Sequence, residues 1–286
     1  MMKYQISTGG NVAQVEIVVR YAGLAADNGQ LSLYDAGESL SGLATVINLA
    51  AHSFANDNEV RDRMANPTDV TTTMLGAKRG CFENIIGVDF ADAVSEKIGK
   101  SVVVKHFWEY LRVTLETAIG NEPFSENPYV TRIINSEDAP FDELAVRFET
   151  PLQHVMRPLK TKGANTITFS RPYVGDQVSL DLDCYDYVST STKGDVLQHW
   201  PGNVTKYNIL SGYGRAYLDD VKHTVPFNIV DFENNQIAHM AATASMNERA
   251  QDRDAGKRVI VAYKVVSSSG RIKRLLVTEI NKPYAR

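Results

Sequence analysis

The sequence has few cysteines and no long apolar segment. Its 286 residues include only Cys81 and Cys184, which lie far apart in the chain. Two separated cysteines exclude a disulfide framework and a zinc knuckle, so we predict buried, reduced thiols. No segment approaches the ~18 apolar residues of a membrane-spanning helix, and the first residues lack the pattern of a secretory signal. We therefore expect a cytoplasmic protein that makes no contact with a membrane.

Basic residues are outnumbered in the first half of the chain, and acidic residues are outnumbered in the second half. Residues 1–150 contain 12 Lys and Arg against 21 Asp and Glu, whereas residues 151–286 contain 18 against 13. Such a split predicts either a basic surface for a polyanion or complementary faces that meet within the chain or between copies. The apolar share of 43% and the charged share of 22% are ordinary for globular proteins and exclude extensive disorder.

The N-terminal half combines strand and helix patterns. Alternating apolar residues over 15–21 predict a strand, and the turn residues 27–29 predict that it continues as a hairpin. Helical spacing predicts a helix over 37–55, in which small residues such as Gly42 would let another backbone approach closely. Further patterns predict strands over 70–75 and 81–89 and helices over 91–98 and 103–118.

The C-terminal half is richer in strand patterns. A helical stripe over 141–159 is interrupted by Pro151 and Pro158, and the polar segment 160–163 marks a domain boundary. We predict an acidic α+β domain over 1–162 and a basic domain over 163–286. Extended patterns cover residues 178–188, 204–210, 215–218, 223–230, 259–266 and 271–280, and only 237–253 is helical. This composition indicates an α+β protein that ends in a small closed β-barrel, of the OB or SH3-like kind.

Basic residues around the last predicted hairpin form the main candidate site. Lys257 and Arg258 precede its turn, and Arg271, Lys273 and Arg274 follow it. Such cations hold phosphates, and unpaired bases stack on aromatic rings like the tyrosines of this half. We predict that these five residues bind nucleic acid or another polyanion. The alternative interpretation is a solvated hairpin above an aromatic core.

No complete catalytic or metal-binding motif is present, so we predict neither a cofactor nor enzymatic activity. Two incomplete patterns leave a metal-dependent hydrolase or nuclease as an alternative. Asp181 and Asp183 would share one face of a predicted strand and could hold Mg²⁺. Asp220 and Lys222 match the acid-x-Lys half of a nuclease site. A third interpretation is a purely structural subunit of a larger assembly.

Four short segments carry a resemblance. They are residues 34–43 (YDAGESLSGL), 80–83 (GCFE), 212–215 (GYGR) and 270–274 (GRIKR). Together they resemble an uncharacterised two-domain bacterial family in which an N-terminal α/β part precedes a C-terminal β-barrel. Such proteins tend to occur on mobile elements and in phage-conflict settings, so the resemblance implies a role in antiviral defence, without a chemistry or catalytic residues.

These observations combine into one leading hypothesis. The protein is expected to be a non-enzymatic binding or sensing component that forms a homo-oligomer or joins a larger assembly. Its N-terminal helices would serve self-association, and its basic barrel would bind the polyanion.

Overall fold

The computed structural model of the protein describes residues 14–61, 67–78 and 82–283. It contains two sheets, each with its own hydrophobic core, and the second sheet closes into a barrel. The predicted α+β fold with a small C-terminal barrel is therefore confirmed. Among the residues that the structure describes, no helix is both long and apolar enough to cross a membrane.

The first sheet is antiparallel, with the strand order β2-β3-β1-β4-β5. Its strands are β1 (Gln14–Ala22), β2 (Val70–Lys78), β3 (Phe82–Phe90), β4 (Thr166–Arg171) and β5 (Gly175–Leu180). The predicted alternation along β1 is confirmed, because Val15, Ile17, Val19 and Tyr21 are fully buried. Side chains alternate between the faces of a strand, so this period puts one face of β1 in the core, and the strand order puts β1 at the centre of the sheet.

Helices pack on this sheet and fill the first core. They are a 3₁₀ turn (Leu24–Asn28), α1 (Leu33–Ala55), α2 (Asp92–Ile98), α3 (Val103–Ala118), α4 (Pro128–Ile134), α5 (Phe141–Val155), α6 (Arg157–Lys160) and α7 (Leu182–Ser189). The predicted hairpin after β1 is wrong. Ser32 caps α1 by accepting a hydrogen bond from the Asp35 backbone N–H at 3.1 Å, so the helix starts one turn earlier than predicted.

The close approach predicted at the small residues of α1 is made by α5. The Ser39 hydroxyl donates to the carbonyl oxygen of Val155 at 3.3 Å, and Gly42 lies against the α5 backbone. Helix α5 continues through Pro151 to Val155, and a short helix then carries Pro158 in its first turn. The predicted interruption therefore falls between α5 and α6.

The segment 178–188, predicted to be extended, divides into β5 and α7. Asp181 caps α7 by accepting from the Cys184 backbone N–H at 3.0 Å, and Val188 is fully buried in the first core. The strand prediction for residues 181–188 is therefore wrong, because the cap and the packing of Val188 favour a helix. The first sheet and core extend past the boundary predicted after Lys162.

The second sheet forms a closed ring in the order β7-β8-β9-β11-β10, and β10 pairs again with β7. Its strands are β6 (Thr192–Lys193), which adds to β10 outside the ring, β7 (Gln198–Tyr207), β8 (Tyr213–Leu218), β9 (His223–Ile229), β10 (Arg258–Val266) and β11 (Ile272–Asn281). Strands β9 and β11 are parallel, and helix α8 (Gln236–Gln251) connects β9 to β10. This is the strand order of an OB-type barrel.

Candidate functional site

The five predicted binding residues lie in two separate places. Lys257 and Arg258 stand at the start of β10, whereas Arg271, Lys273 and Arg274 stand at the β10–β11 turn and the start of β11. Strand β10 has nine residues, and a strand rises about 3.3 Å per residue, so the two groups are roughly 26 Å apart. The structure therefore does not bring the five residues into one site.

The first group holds the barrel together. The Lys257 ammonium pairs with the Asp219 carboxylate at 2.5 Å, and both groups are partly exposed. Arg258 is buried and pairs with Glu248 of α8 at 2.9 Å. Because its guanidinium is enclosed, Arg258 cannot reach a ligand without local unfolding. Its evident role is to tie β10 to α8.

The second group lines a cleft between the two parts of the chain. The cleft lies between α5, the end of α3, strands β8 and β9, and the start of β11. This face of the barrel carries the second and third strands, which form the usual ligand surface of OB folds. In this protein the same surface is turned towards the N-terminal part.

A buried charge pair in the cleft joins β8 to α5. The Arg215 guanidinium donates to Asp142 through Nε at 2.9 Å and Nη2 at 2.7 Å, in a bidentate arrangement. The side chains are only 11% and 10% exposed. Burial alone would lower the pKa of Arg215, but the charge and hydrogen bonds of Asp142 outweigh it and raise that pKa. Arg215 is thus a fixed cation, already neutralised by the N-terminal part.

A second carboxylate of α5 faces the start of β11. Glu149 accepts from Arg274 Nη1 at 2.7 Å and from Lys273 Nζ at 2.9 Å, both at Oε1. Burial would raise the pKa of Glu149, but the charges and hydrogen bonds of Arg274 and Lys273 outweigh it and lower that pKa. Glu149 is therefore ionised at neutral pH and shared between two cations.

Lys273 also holds the end of α7. Its side chain is 3% exposed, and Nζ lies 3.1 Å from the Tyr187 carbonyl oxygen and 2.8 Å from the Ser191 hydroxyl. Lysines near helix C-termini commonly satisfy the last carbonyl groups in this way. Lys273 is thus buried by structural contacts, unlike the exposed phosphate-binding lysine that the sequence predicted.

Arg271 is the exposed cation of the second group. Its guanidinium carbon lies 5.6 Å from the ring centre of Tyr187, and Nη2 donates to the carbonyl oxygen of Gly120. Gly120 has a positive φ, and a β-carbon there would lie 2.5 Å from the Tyr187 ring. No carboxylate pairs with Arg271 within the described ranges. Arg271 therefore lines the cleft as an exposed cation without a carboxylate partner among the described residues.

Lys206 adds a fifth basic residue behind Arg215. The two are paired in register between β7 and β8, and Lys206 Nζ donates to the carbonyl oxygen of Ile134 at 2.5 Å. Burial lowers the pKa of Lys206 to about 8, and the positive charge of Arg215 contributes, although Asp142 opposes the shift. This lysine therefore contacts the C-terminal end of α4 in the other part of the chain.

Sequence reasoning did not identify Arg215, Asp142 and Glu149. The feature of the sequence that points to them is the opposite net charge of the two halves. One interpretation of that feature is that complementary faces meet within the chain. At the cleft, acidic residues of the N-terminal part do meet basic residues of the barrel. The individual partners could not be chosen because they lie far apart in sequence.

The residues of the nuclease alternative have local structural roles. Asp181 caps α7, and the backbone N–H of Cys184 lowers its pKa. Asp183 lies in the first turn of α7 and does not share a strand face with Asp181. Asp220 and Lys222 belong to the turn between β8 and β9. In the part of the chain that the structure describes, no three His, Cys, Asp or Glu side chains are grouped as metal ligands.

Cys184 is a free, half-buried thiol whose pKa is raised to about 11 by burial. Cys184 was predicted to be buried and is buried only in part; its reduced state stays a prediction. Cys81 lies outside the described residues.

Comparison with protein families divides the chain at the same place as the two sheets. The model described as "Domain of unknown function (DUF7946)" matches residues 17–189, and that described as "Family of unknown function (DUF7947)" matches residues 197–281. The first match ends with α7, and the second covers most of the barrel. No curated protein and no solved structure matches the chain. Because the first match spans more than half of the chain, the protein belongs to the DUF7946 family, with a barrel that matches DUF7947.

Proposed function

We propose that the protein is a non-enzymatic binding subunit whose barrel holds a single-stranded nucleic acid along the cleft. The observation that carries the proposal is the position of the cations. Arg215 lies on the second strand and Arg271 in the last turn, which belong to the surface that OB folds use for oligonucleotides, and Arg274 of β11 lines the same cleft. Single strands combine phosphate contacts with base stacking on such a surface.

The cations have different roles in this proposal. Arg271 makes the first phosphate contact, since it is exposed and pairs with no carboxylate of the described residues. Tyr187, beneath its guanidinium, supports its orientation. Arg274 and Arg215 bind further phosphates once they leave their carboxylates. Lys273 and Arg258 are structural, and Lys257 lies too far away to contact the same segment.

A binding titration tests the proposal. The probe is a fluorescently labelled oligo(dT) of about 20 nucleotides, which exceeds the ~4–16 nucleotides that one OB barrel covers. Anisotropy is measured between about 50 and 200 mM salt, where each phosphate contact to a single strand contributes roughly 0.7 to the salt slope. Arg271→Ala should weaken binding about tenfold and flatten the slope.

Lys282→Ala is the matched control. Lys282 is exposed and follows β11, near the barrel end that holds Glu248. The Lys282→Ala substitution therefore removes one positive charge, as Arg271→Ala does, but far from Arg271. Its affinity and slope should equal those of the unaltered protein. Absence of oligo(dT) binding at low salt, or equal weakening by both variants, would contradict the proposed site.

Self-association and an antiviral-defence setting are part of the proposal. Self-association is assigned to the N-terminal helices, and the antiviral setting rests on the sequence resemblance. Light scattering coupled to size exclusion at low and high salt measures the mass of the assembly, and absorbance of the same peak detects bound nucleic acid. Phage plating on cells that produce the unaltered protein or Arg271→Ala tests the setting. A monomeric mass at every salt concentration would contradict self-association. Equal plating on cells that produce the unaltered protein and on cells that produce Arg271→Ala would contradict the antiviral role.

A further inference from the structure

We infer that helix α5 is a built-in competitor for the nucleic acid, because its carboxylates occupy the cations that ligand phosphates would contact. The inference rests on the proposed function and adds its regulation. The α5 carboxylates are Asp142 and Glu149, which bind Arg215 and Arg274. The site is closed while these pairs hold, and it opens when the two parts separate.

The contacts of Asp142 have the geometry that a phosphate would use. Two parallel N–H···O bonds join its oxygens to the Arg215 guanidinium. Arginine forms this forked arrangement with carboxylate and phosphate alike. Because both oxygens of Asp142 accept, the inner edge of Arg215 has no place for a ligand. A phosphate can bind there only after Asp142 has left.

The interface around these pairs is mixed, because further polar contacts lie beside apolar residues of the cleft such as Val146 and Phe227. Besides the ion pairs, the Ser268 hydroxyl donates to the Asp186 carbonyl oxygen at 3.1 Å, and Lys206 donates to Ile134. Interfaces of this composition resemble transient protein contacts and permit relative motion of domains. Added anions compete with the α5 carboxylates for Arg215 and Arg274, and a polyanion supplies many negative charges at once.

The connection between the parts is compatible with opening. In the described parts of the chain, the two sheets share no strand, and residues 190–197 connect α7 to β7. Strand β6 (Thr192–Lys193) within this connection pairs with β10, so the connection belongs to the barrel from Thr192 onwards. Lys273 holds the carbonyl groups at the end of α7 and also Glu149 of α5, so opening must break the Lys273–Glu149 pair as well.

Neutral variants of the α5 carboxylates test the inference. Asp142→Asn, Glu149→Gln and their combination keep the side-chain shape but remove the charge. Each should bind the same oligo(dT) more tightly, by roughly fivefold or more, which is the lower range of coupling between sites. Small-angle X-ray scattering of the unliganded double variant should give a larger radius of gyration than that of the unaltered protein.

Glu122→Gln separates masking from simple charge. Glu122 is 66% exposed at the cleft, and one of its oxygens lies 3.8 Å from Arg215 Nη1, too far for a direct hydrogen bond. The Glu122→Gln substitution removes one negative charge near the site, as Asp142→Asn does, but frees no arginine from a hydrogen-bonded ion pair. If Glu122→Gln tightens binding as much as Asp142→Asn does, or if the α5 variants bind no tighter than the unaltered protein, the inference is overturned.

Scattering also tests the inference if the double variant does not fold. The unaltered protein should expand when oligo(dT) binds, and binding without expansion would overturn the competitor role while leaving the proposed function intact. If no protein binds oligo(dT), the proposed function fails. The closed interface is then tested by the radius of gyration of the unliganded Asp142→Asn protein. Expansion supports the closed interface, and an unchanged radius contradicts it.

Discussion

The α-carbon of Gly42 in α1 lies against the carbonyl oxygen of Pro151 in α5. A β-carbon at Gly42 would be 2.5 Å from that oxygen and 2.8 Å from the backbone nitrogen of Val155. Atoms this close must move, and both belong to a helix backbone that moves little. The pairing of α1 with α5 therefore depends on the missing side chain, and α5 is the helix that presents Asp142 and Glu149 to the barrel.

Gly42→Ala is expected to destabilise the protein. Helix propensity alone would favour alanine by ~1 kcal/mol, but overpacking at a close contact costs about 1–3 kcal/mol and should prevail. Gly37 in the same helix is the control, because a β-carbon there meets nothing within 4 Å. Urea denaturation should show a loss for Gly42→Ala and a small gain for Gly37→Ala; equal gains would refute the close contact.

Lys273→Met should destabilise the protein by about 3 kcal/mol, the lower range for breaking a buried ion pair, since Arg274 remains beside Glu149. The substitution also leaves the last carbonyl groups of α7 without their ammonium partner. Lys282→Met removes an exposed charge and should change the free energy of unfolding by less than about 0.5 kcal/mol. Chemical denaturation measures both. A loss confined to oligo(dT) binding would instead mark Lys273 as a ligand contact.

The ionisation of Glu149 should make stability depend on acid pH. Its pKa in the folded protein is below the ordinary 4.5, so the unfolded chain binds the proton more readily. The stabilisation is complete above that ordinary value and is lost as the pH falls through the folded pKa. Glu149→Gln should flatten this acid-induced decline, measured by urea denaturation between about pH 6 and pH 3. Glu137→Gln, at an exposed acid, should leave the decline unchanged.

His52 should lose stabilising contacts when it is protonated. It is buried, and its Nδ1 accepts from the Thr68 backbone N–H at 3.2 Å. Burial and the charge of Arg61 lower its pKa below the ordinary 6.5, so stability is complete above that value and falls as the pH drops towards the folded pKa. An NMR titration of the His52 ring should place its midpoint below 6.5. A midpoint above that value would show that the Glu59 carboxylate dominates.

Much of the fold could be predicted because its signals are local. The alternation over 15–21 and the helical spacing over 103–118 correspond to β1 and α3. The strand prediction was wrong at α7 because its signals are mixed. Its sequence, LDCYDYVS, is rich in residues that favour strands, and only the cap at Asp181 and the burial of Val188 make it helical. The early start of α1 had a visible signal, since Ser32 stands three residues before Asp35.

The candidate site was only partly predictable because its partners are distant in sequence. The sequence identified Arg271 and Arg274 as cations for an anion. It could not show that Arg274 meets Glu149, 125 residues earlier, or that Arg215 meets Asp142, 73 residues earlier. Those contacts depend on how the barrel docks on α5. Local patterns carry no information about docking, although the opposite charges of the two halves indicated that complementary faces exist.

The parallel pairing of β9 with β11 also determines the order of events during synthesis. All five strands of the first sheet precede residue 181, whereas the barrel ring closes only when β11 inserts between β9 and β10. While a ribosome is still translating β11, the N-terminal part is complete and the barrel is not. Helix α5 is therefore already in place when the arginine-bearing surface forms. The chain thus contains the carboxylates of α5 before it contains the strand that carries Arg274.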